Sequence, residues 1–191
     1  MTPKMQEIWD KLRQLATYDS KLTVFGAGSH RYRTYPCLTE VEIEEFERQY
    51  QVLLPEDYRS FILEIANGGA GPNYGLCRLQ DSVEENSLFL LSRSFPHQES
   101  WNLHHSQFAS AQDFDEEYFR GEHRQGSLSI CDMGCGHTVL LVVSGAERGT
   151  IWQDFRAGDG GIIPLQDVAN GSVRTSFTGW YAGWLNNSLA T

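Results

Sequence analysis

Residues 38–69, LTEVEIEEFERQYQVLLPEDYRSFILEIANGG, contain the start and stop signals of two consecutive helices. The first start is a capping box, in which the Thr39 hydroxyl accepts from the amide three residues later and Glu42 reaches back to the cap amide. Leu38 and Ile43 are spaced as a hydrophobic staple around the same start. Apolar residues then recur at helical spacing and predict a buried stripe formed by Ile43, Phe46 and Tyr50.

The second helix of this segment is predicted to start at Leu54-Pro55, because proline suits a first helical turn but cannot continue the preceding helix. Asn67-Gly68-Gly69 predicts its end, since asparagine and glycine tolerate the left-handed conformation common at helix C-termini. Its inner face is predicted to be Tyr58, Phe61, Ile62 and Ile65. Two helices joined by a short turn make an N-terminal helical hairpin.

The chain upstream of this hairpin divides into two parts. Residues 4–16 have the pattern of an amphipathic helix, with a buried face made of Met5, Ile8, Leu12 and Leu15. Residues 22–38, LTVFGAGSHRYRTYPCL, combine apolar residues with two glycines and a proline, which indicates an extended segment with turns. We therefore predict a helical extension over residues 1–21 and one α+β domain over residues 22–191.

Short β-type runs replace the helical pattern downstream. They occupy residues 87–91, 127–131, 137–143 and 149–155. Glycine-containing turns at 133–136 and 144–149 separate the last three runs. This spacing predicts the hairpins of an antiparallel meander.

The remaining segments complete the predicted architecture. Residues 92–126 are polar and aromatic without a clear period, and we expect mostly loop with one short helix near 110–120. A C-terminal helix is predicted from the spacing of Val173, Phe177, Trp180, Tyr181, Trp184 and Leu185. The fold class is therefore α+β, a single domain with an antiparallel or mixed β-sheet, helices packed around it and a C-terminal helix.

The charge of the chain is strongly acidic but unevenly distributed. The 191 residues carry a formal charge of −10, with +3 in residues 1–38 and −13 in the rest. Residues 40–48 contribute −4 and residues 113–124 contribute −3. Direct nucleic-acid binding needs a basic face, so the balance argues against it and favours a basic protein partner. Each acidic stretch can also be explained as a solvated helix face.

Targeting and cysteine content point to the cytoplasm. The N-terminus has no apolar stretch of signal-peptide length, and the longest apolar run, residues 139–143, is far below the roughly 20 residues that span a bilayer. Four cysteines are too few for a disulfide scaffold in a chain of this length. We expect a cytoplasmic protein with reduced thiols and no membrane contact.

Two patterns resemble catalytic or cofactor motifs but lack required residues. The Gly-x-Gly of residues 22–28 is followed by Arg31, where a dinucleotide-binding turn needs its third glycine. His104-His105 precede an acidic stretch, but without the spacing of a metallohydrolase or an acid–base pair. We expect no cofactor.

A third pattern combines zinc-ligand types. Cys131, Cys135 and His137 follow a C-x3-C-x-H spacing, but the local sequence offers no fourth ligand. Free buried cysteines at a glycine turn are the commoner explanation, so no metal site is assigned, although metal binding stays open. We expect a protein that is not an enzyme; the alternative is an enzyme that uses His104-His105 or this cysteine–histidine group.

Residues 25–32, FGAGSHRY, taken with residues 38–76, resemble the SUKH superfamily. Further matching strings follow in the family's order at 131–136, 140–149, 151–154 and 177–185. The family includes fungal cell-wall-synthesis regulators and bacterial immunity proteins that protect against polymorphic toxins. The resemblance implies a noncatalytic α+β domain that binds a protein. Cys77-Arg78, in place of an apolar-proline pair, and residues 92–126 are the least family-like parts.

The resemblance and the charge together lead to a functional hypothesis. The chain would be an immunity protein that binds and neutralises a basic toxin domain, such as a nuclease. The alternative is an intracellular scaffold or regulatory protein related to the cell-wall-synthesis regulators. Oligomeric state stays open. The candidate partner-binding residues are Asp113, Asp115, Glu116 and Glu117, then Pro72, Asn73 and Tyr74, then Glu40, Glu44 and Glu45.

Overall fold

A computed structural model describes residues 1–83, 90–166 and 174–190 of the chain. In these residues the α-helices are α1 (Pro3–Tyr18), α2 (Ala27–His30), α3 (Glu40–Tyr50), α4 (Glu56–Glu64), α5 (Ala111–Tyr118) and α6 (Phe177–Leu189). The strands are β1 (Ser127–Gly134), β2 (His137–Val142), β3 (Ile151–Asp154) and β4 (Ile162–Pro164). The predicted α+β class, with a C-terminal helix and an antiparallel sheet, is confirmed.

The helix starts follow the local signals in the sequence. The capping box of α3 is complete, because the amide of Glu42 donates to the Thr39 hydroxyl at 3.3 Å and the Glu42 carboxylate accepts from the Thr39 amide at 2.7 Å. Pro55 precedes α4 as its N-cap residue. The predicted stripes are buried at Ile43, Phe46, Tyr58, Phe61 and Ile62. Tyr50 was also predicted to be buried but is only half-buried, and its ring packs against Phe46 with centroids 4.6 Å apart.

The four strands form one antiparallel sheet in the order β1-β2-β3-β4. Between β1 and β2, Gly134 pairs with His137 and the two turn residues, Cys135 and Gly136, have φ values of 54° and 79°. Positive φ at both central residues is the geometry of a type I′ hairpin turn, whose twist matches the strands it joins. The predicted meander is confirmed, and β4 adds a strand that the sequence pattern did not predict.

Short extended segments continue the sheet beyond β1. Leu76 bridges to Cys131 of β1, Gly69 bridges to Leu76, and Thr34 bridges to Gly69. The Asn67-Gly68-Gly69 run was expected to end a helix, but α4 already ends at Glu64 with Ile65 as its C-cap. The glycines serve the sheet instead, because a Cβ on Gly69 would lie 2.5 Å from the carbonyl oxygen of Arg33.

The first face of the sheet is covered by helices. Leu128, Val139 and Leu141 lie in one buried cluster with side chains from α1, α3, α4 and α6. Each of these strand residues is at most 1% exposed. The ring of Phe61 in α4 packs against both Phe177 and Tyr181 of α6, with centroid separations of 5.0 and 4.8 Å. This face carries the main core.

The second face of the sheet is covered by the segment that precedes β1. Leu140, Val142 and Trp152 lie in a smaller cluster together with Phe95 and Ile162, and Trp101 packs against it. Trp101 also bridges to Ile162 of β4. Its ring stacks on Tyr118 of α5, with centroids 5.5 Å apart. Residues 92–126 were expected to be mostly loop with a short helix, which α5 confirms, and they form a structural layer.

Three details depart from the expectations. The predicted strand at 87–91 is wrong at Leu90 and Leu91, which lie in a turn, while 87–89 fall outside the described residues. Residues 22–38 contain the helical turn α2 within an otherwise irregular path. Val173, expected at the start of the C-terminal helix, also falls outside the described residues, and α6 begins at Phe177.

Helix α1 belongs to the same core as the rest of the domain. Its predicted face is buried and packs in the cluster that contains Tyr181 and Leu185 of α6. The proposed boundary between residues 1–21 and 22–191 stays a prediction.

A close backbone contact joins residues 22–38 to the loop at 72–74. Gly26 has φ of 78°, and a Cβ there would lie 1.6 Å from the carbonyl oxygen of Asn73. Only glycine permits this approach without a shift of the loop. Gly28, the second glycine of the same Gly-x-Gly, differs, because a Cβ there would meet no atom of the surrounding structure within 4 Å.

We expect Gly26→Ala to lower the free energy of unfolding by ~2–3 kcal/mol, because it adds left-handed strain to a clash with backbone. Gly28→Ala is the matched control and should be neutral or slightly stabilising, since alanine favours the short helix α2. Urea denaturation of both variants measures the difference. Equal effects at the two glycines would contradict the role of the contact.

His97 lies inside the layer that covers the second face and is 7% exposed. Its Nε2 lies 3.0 Å from the carbonyl oxygen of His123, and its ring packs against Phe95 and Trp101. Burial lowers the pKa of His97 to about 4. The folded protein therefore holds this imidazole neutral well below the pH at which an exposed histidine is protonated.

We expect the stability of the protein to fall as the pH drops from about 6.5, the pKa of histidine in an unfolded chain, towards 4. The unfolded state binds the proton more readily, so the contribution is complete above pH 6.5 and its loss amounts to ~3 kcal/mol. Urea denaturation at a series of pH values measures the slope. His97→Phe keeps a ring in place and should make the slope shallower; an unchanged slope would contradict the assignment.

Candidate protein-binding surfaces

The loop Pro72-Asn73-Tyr74 is fixed from below by β1. The Cys131 thiol contacts the Pro72 carbonyl oxygen at 3.3 Å, and the Asn73 side-chain amide donates to Cys131 Sγ at 3.6 Å. Burial raises the pKa of Cys131 to about 12, so the thiol keeps its proton and can donate. Pro72 is buried, Asn73 is half-buried and only Tyr74 is exposed. Of the three predicted contact residues in this loop, Tyr74 is therefore the most exposed.

Tyr74 lies beside other exposed side chains that were not among the predicted contact residues. Its ring contacts that of Phe25, with centroids 5.5 Å apart, and Phe25 is 63% exposed. A groove of about 760 Å³ lies on one side, lined in part by Phe25, Asn73 and Trp184. A pocket of about 400 Å³ lies on the other side, lined in part by Tyr74 and Tyr35.

A signal for this surface was present in the sequence. Residues 18–35 hold four aromatic residues and three basic residues in a chain that is acidic overall. Without the structure, however, these side chains could equally have filled a core. The structure leaves Phe25 and Tyr35 more than half exposed, while Tyr32 is half-buried.

Helix α5 presents an acidic face to solvent. Phe114 and Tyr118 are buried beneath it, and the Tyr118 hydroxyl accepts from the Gly161 amide at 3.0 Å. Asp115 and Glu116 are exposed on the opposite side. The helix is thus held firmly from one face while its carboxylates remain accessible on the other.

The other two predicted acidic residues of α5 already have partners within the protein. Asp113 accepts a hydrogen bond from the N-cap hydroxyl of Ser110 at 2.8 Å. Glu117 is half-buried and forms an ion pair with Arg120 at 3.0 Å. Glu116 likewise accepts a hydrogen bond from the Gln112 side-chain amide at 2.8 Å, so Asp115 is the most available of the four carboxylates, and Glu116 is exposed beside it.

The acidic residues of α3 lie on a third surface. Glu40 forms an ion pair with Arg59 of α4 at 2.5 Å, which ties the two helices of the hairpin together. Glu44 and Glu45 are exposed. The role of Glu40 in the structure is therefore to join α3 to α4, which agrees with the interpretation of this acidic stretch as a solvated helix face.

The three predicted groups do not form one site. The 72–74 loop lies at the β1 end of the sheet, where the Tyr74 amide donates to the Asp132 carbonyl at 3.4 Å. Helix α5 lies towards β4, through Tyr118 and Gly161. Helix α3 lies in the helical layer with α4. Sequence reasoning could select the residues but could not separate the surfaces.

The residues considered for metal binding or catalysis have other surroundings. Cys131 is buried under the 72–74 loop, Cys135 is exposed at the hairpin turn, and the His137 ring packs against Phe155 with centroids 5.1 Å apart. Within residues 1–83, 90–166 and 174–190, no group of three or more histidine, cysteine or acidic side chains is arranged to hold a metal ion.

The paired histidines are also part of the local packing. His104 precedes a short 3₁₀ turn and is exposed, whereas the His105 ring stacks on Phe114 with centroids 3.7 Å apart. No helix in the described part of the chain combines the length and apolar character needed to cross a bilayer.

Comparison with known proteins gives one positive result. The model of the SMI1 / KNR4 family (SUKH-1) matches residues 37–170. No curated protein and no solved structure matches the chain. The match contains α3, α4, α5 and all four strands, and leaves α1, α2 and α6 outside. Because the match covers well over half of the chain and the observed fold is the one that the resemblance implied, the chain belongs to the SMI1 / KNR4 family (SUKH-1).

Proposed function

We propose that this protein is a noncatalytic binding domain that recognises a basic toxin domain and neutralises it. Membership of the SUKH family supports a protein-binding role of the immunity or regulator type. In the immunity role the protein acts in the cytoplasm, and the toxin domain is its basic partner.

The main structural support for this proposal is the exposed acidic face of α5. Asp115 and Glu116 project from a helix whose other side is locked by Phe114 and Tyr118, each at most 1% exposed. Preorganised carboxylates of this kind attract a basic partner and raise its association rate. Rigid support also limits the side-chain and loop entropy that is lost on binding.

Toxin neutralisation then needs only that the bound domain cover the toxin's own active site. No catalytic group is required of this chain, and its free energy of binding would come from surface complementarity. The regulatory alternative shares the same fold and the same binding chemistry, but its partners would be host proteins and not a toxin.

The experiment is co-expression and binding with the protein encoded beside this chain. Rescue of growth together with a stable complex supports immunity. A neighbour that is neither toxic nor bound would overturn the immunity proposal and favour the regulatory alternative.

The α5 face is tested with Asp115→Lys/Glu116→Lys against the matched control Glu44→Lys/Glu45→Lys, which makes the same charge change on α3. We expect the α5 variant to slow association with the toxin domain about tenfold at low ionic strength and to weaken its salt dependence. The α3 variant should change the rate about twofold or less. Association rates by stopped-flow or biolayer interferometry give the comparison, and equal slowing by both variants would remove α5 from the interface.

A further inference from the structure

Six exposed side chains form a second surface at the outer edge of the sheet, which we call the aromatic–basic surface. It consists of Lys21, Phe25, Arg31, Arg33, Tyr35 and Tyr74. Lys21 and Phe25 line the groove of about 760 Å³, while the other four line the pocket of about 400 Å³. The ring contact between Phe25 and Tyr74 joins the two hollows into one continuous feature.

The basic residues of this surface lack ion-pair partners in the described part of the chain. Lys21, Arg31 and Arg33 form no ion pair with any described residue, although the chain holds 25 acidic residues against 15 basic ones. Other exposed cations, such as Lys4 and Arg48, also lack an ion pair among the described residues, but they line neither hollow. Three such cations around exposed aromatic rings therefore mark a surface suited to an external anion.

The acidic residue that lines the groove, Asp19, already has hydrogen-bond partners. Among the described residues, Asp19 is the one carboxylate that lines either hollow, and it is 5% exposed. It accepts from the Tyr32 hydroxyl and the Thr23 amide at 2.7 Å, and from the Val24 amide at 3.0 Å. Burial alone would raise the pKa of Asp19, but these hydrogen bonds outweigh it and hold the pKa at about 2. The carboxylate therefore stays ionised, and its oxygens are used in fixing the chain after α1.

The backbone at this edge presents one residue to an added segment, because the Tyr32 amide already donates to His30 Nδ1 at 3.0 Å and Pro36 has no amide hydrogen. The Arg33 carbonyl accepts from the Ala70 amide at 2.7 Å, and the Tyr35 amide donates to the Gly68 carbonyl at 3.1 Å. Thr34 lies between Arg33 and Tyr35. In an antiparallel pair, this pattern of hydrogen bonds directs the N–H and C=O of Thr34 away from the sheet. An extended peptide can pair with such an edge.

We propose that the aromatic–basic surface binds an extended acidic segment of a partner protein. Its carboxylates pair with Arg31, Arg33 and Lys21, and its backbone bonds to Thr34. An apolar side chain of the segment enters the groove beside Phe25 and Trp184. The Trp184 ring itself packs near the buried His30 ring. The role lies beyond toxin recognition by α5, because it uses the opposite charge at another part of the fold.

Single-stranded nucleic acid also pairs cations with aromatic rings, but it fits this surface less well. Nucleic acid carries a charge at every nucleotide, and a body of charge −13 repels such a polyanion beyond the first few contacts. A short acidic segment needs only the few cations present. The choice between the two is an outcome of the test.

The test selects ligands for the full chain from a phage-displayed library of random 12-residue peptides. We expect enrichment of peptides that combine acidic residues with at least one apolar residue. The enriched peptides are then synthesised, and their affinity is measured by fluorescence anisotropy. Lys21→Glu/Arg31→Glu/Arg33→Glu should weaken that affinity by about tenfold or more, since each partly exposed ion pair contributes modestly.

The matched control is Lys4→Glu/Arg48→Glu/Arg93→Glu, which makes the same charge change at exposed cations that line neither hollow. It should change the affinity about threefold or less, and circular dichroism melts should show that both triple variants fold. Asp115→Lys/Glu116→Lys should leave peptide affinity within about threefold, so a failed toxin interface and a failed peptide site are distinguishable.

Four results of the binding experiments would overturn the proposal. These are enrichment of neutral or basic peptides, no enrichment at all, equal weakening by the two triple variants, and tighter binding of a dT12 oligonucleotide than of the selected peptides. Sedimentation of the wild-type chain provides the last check. If the wild-type chain self-associates and the Lys21/Arg31/Arg33 variant does not, the surface binds a second copy of this chain, and the proposal is overturned as well.

Discussion

The sheet of this protein has to be covered on both faces, and the rest of the fold follows from that constraint. Residues 139–143, in β2 and just after it, are apolar throughout and alternate between the first and the second core. A strand buried on both sides reads as a continuous apolar run. The helices cover one face, so residues 92–126 must cover the other. Residues 92–126 are among the least family-like parts of the chain, yet Phe95 and Trp101 bury the second face, while the outward side of α5 is exposed. The acidic face that we propose for binding is thereby attached to a core layer, which gives it rigidity.

Much of the fold could be predicted because its signals are local. The capping box at Thr39, the proline at Pro55 and the glycine turn at Gly136 each act through neighbouring backbone atoms. Strand β4, with three residues, is too short to show a period, and it is fixed by pairing with β3 and by the bridge to Trp101. The role of Gly26 depends on a loop almost fifty residues away, so no local pattern could reveal it.

The candidate surfaces were less predictable, because the charges in the sequence identify residues but do not show where those residues lie in the fold. The acidic runs pointed to Glu40 and Glu117 together with Asp115, although of these three only Asp115 faces solvent without an ion pair among the described residues. The +3 charge of residues 1–38 had no predicted role. In the fold, part of that charge gathers with Phe25 and Tyr74 at an open edge.

The two surfaces of opposite charge can act independently because the sheet holds them apart. Six strand spacings separate the edge at Thr34 from β4, which is roughly 30 Å at ~4.8 Å per spacing. The Debye length at physiological ionic strength is about 8 Å, so neither surface neutralises the field of the other. The net charge of −10 therefore describes neither surface, and a partner close to either one responds to the local charge. A single acidic protein can in this way offer an acidic face to one ligand and a basic edge to another.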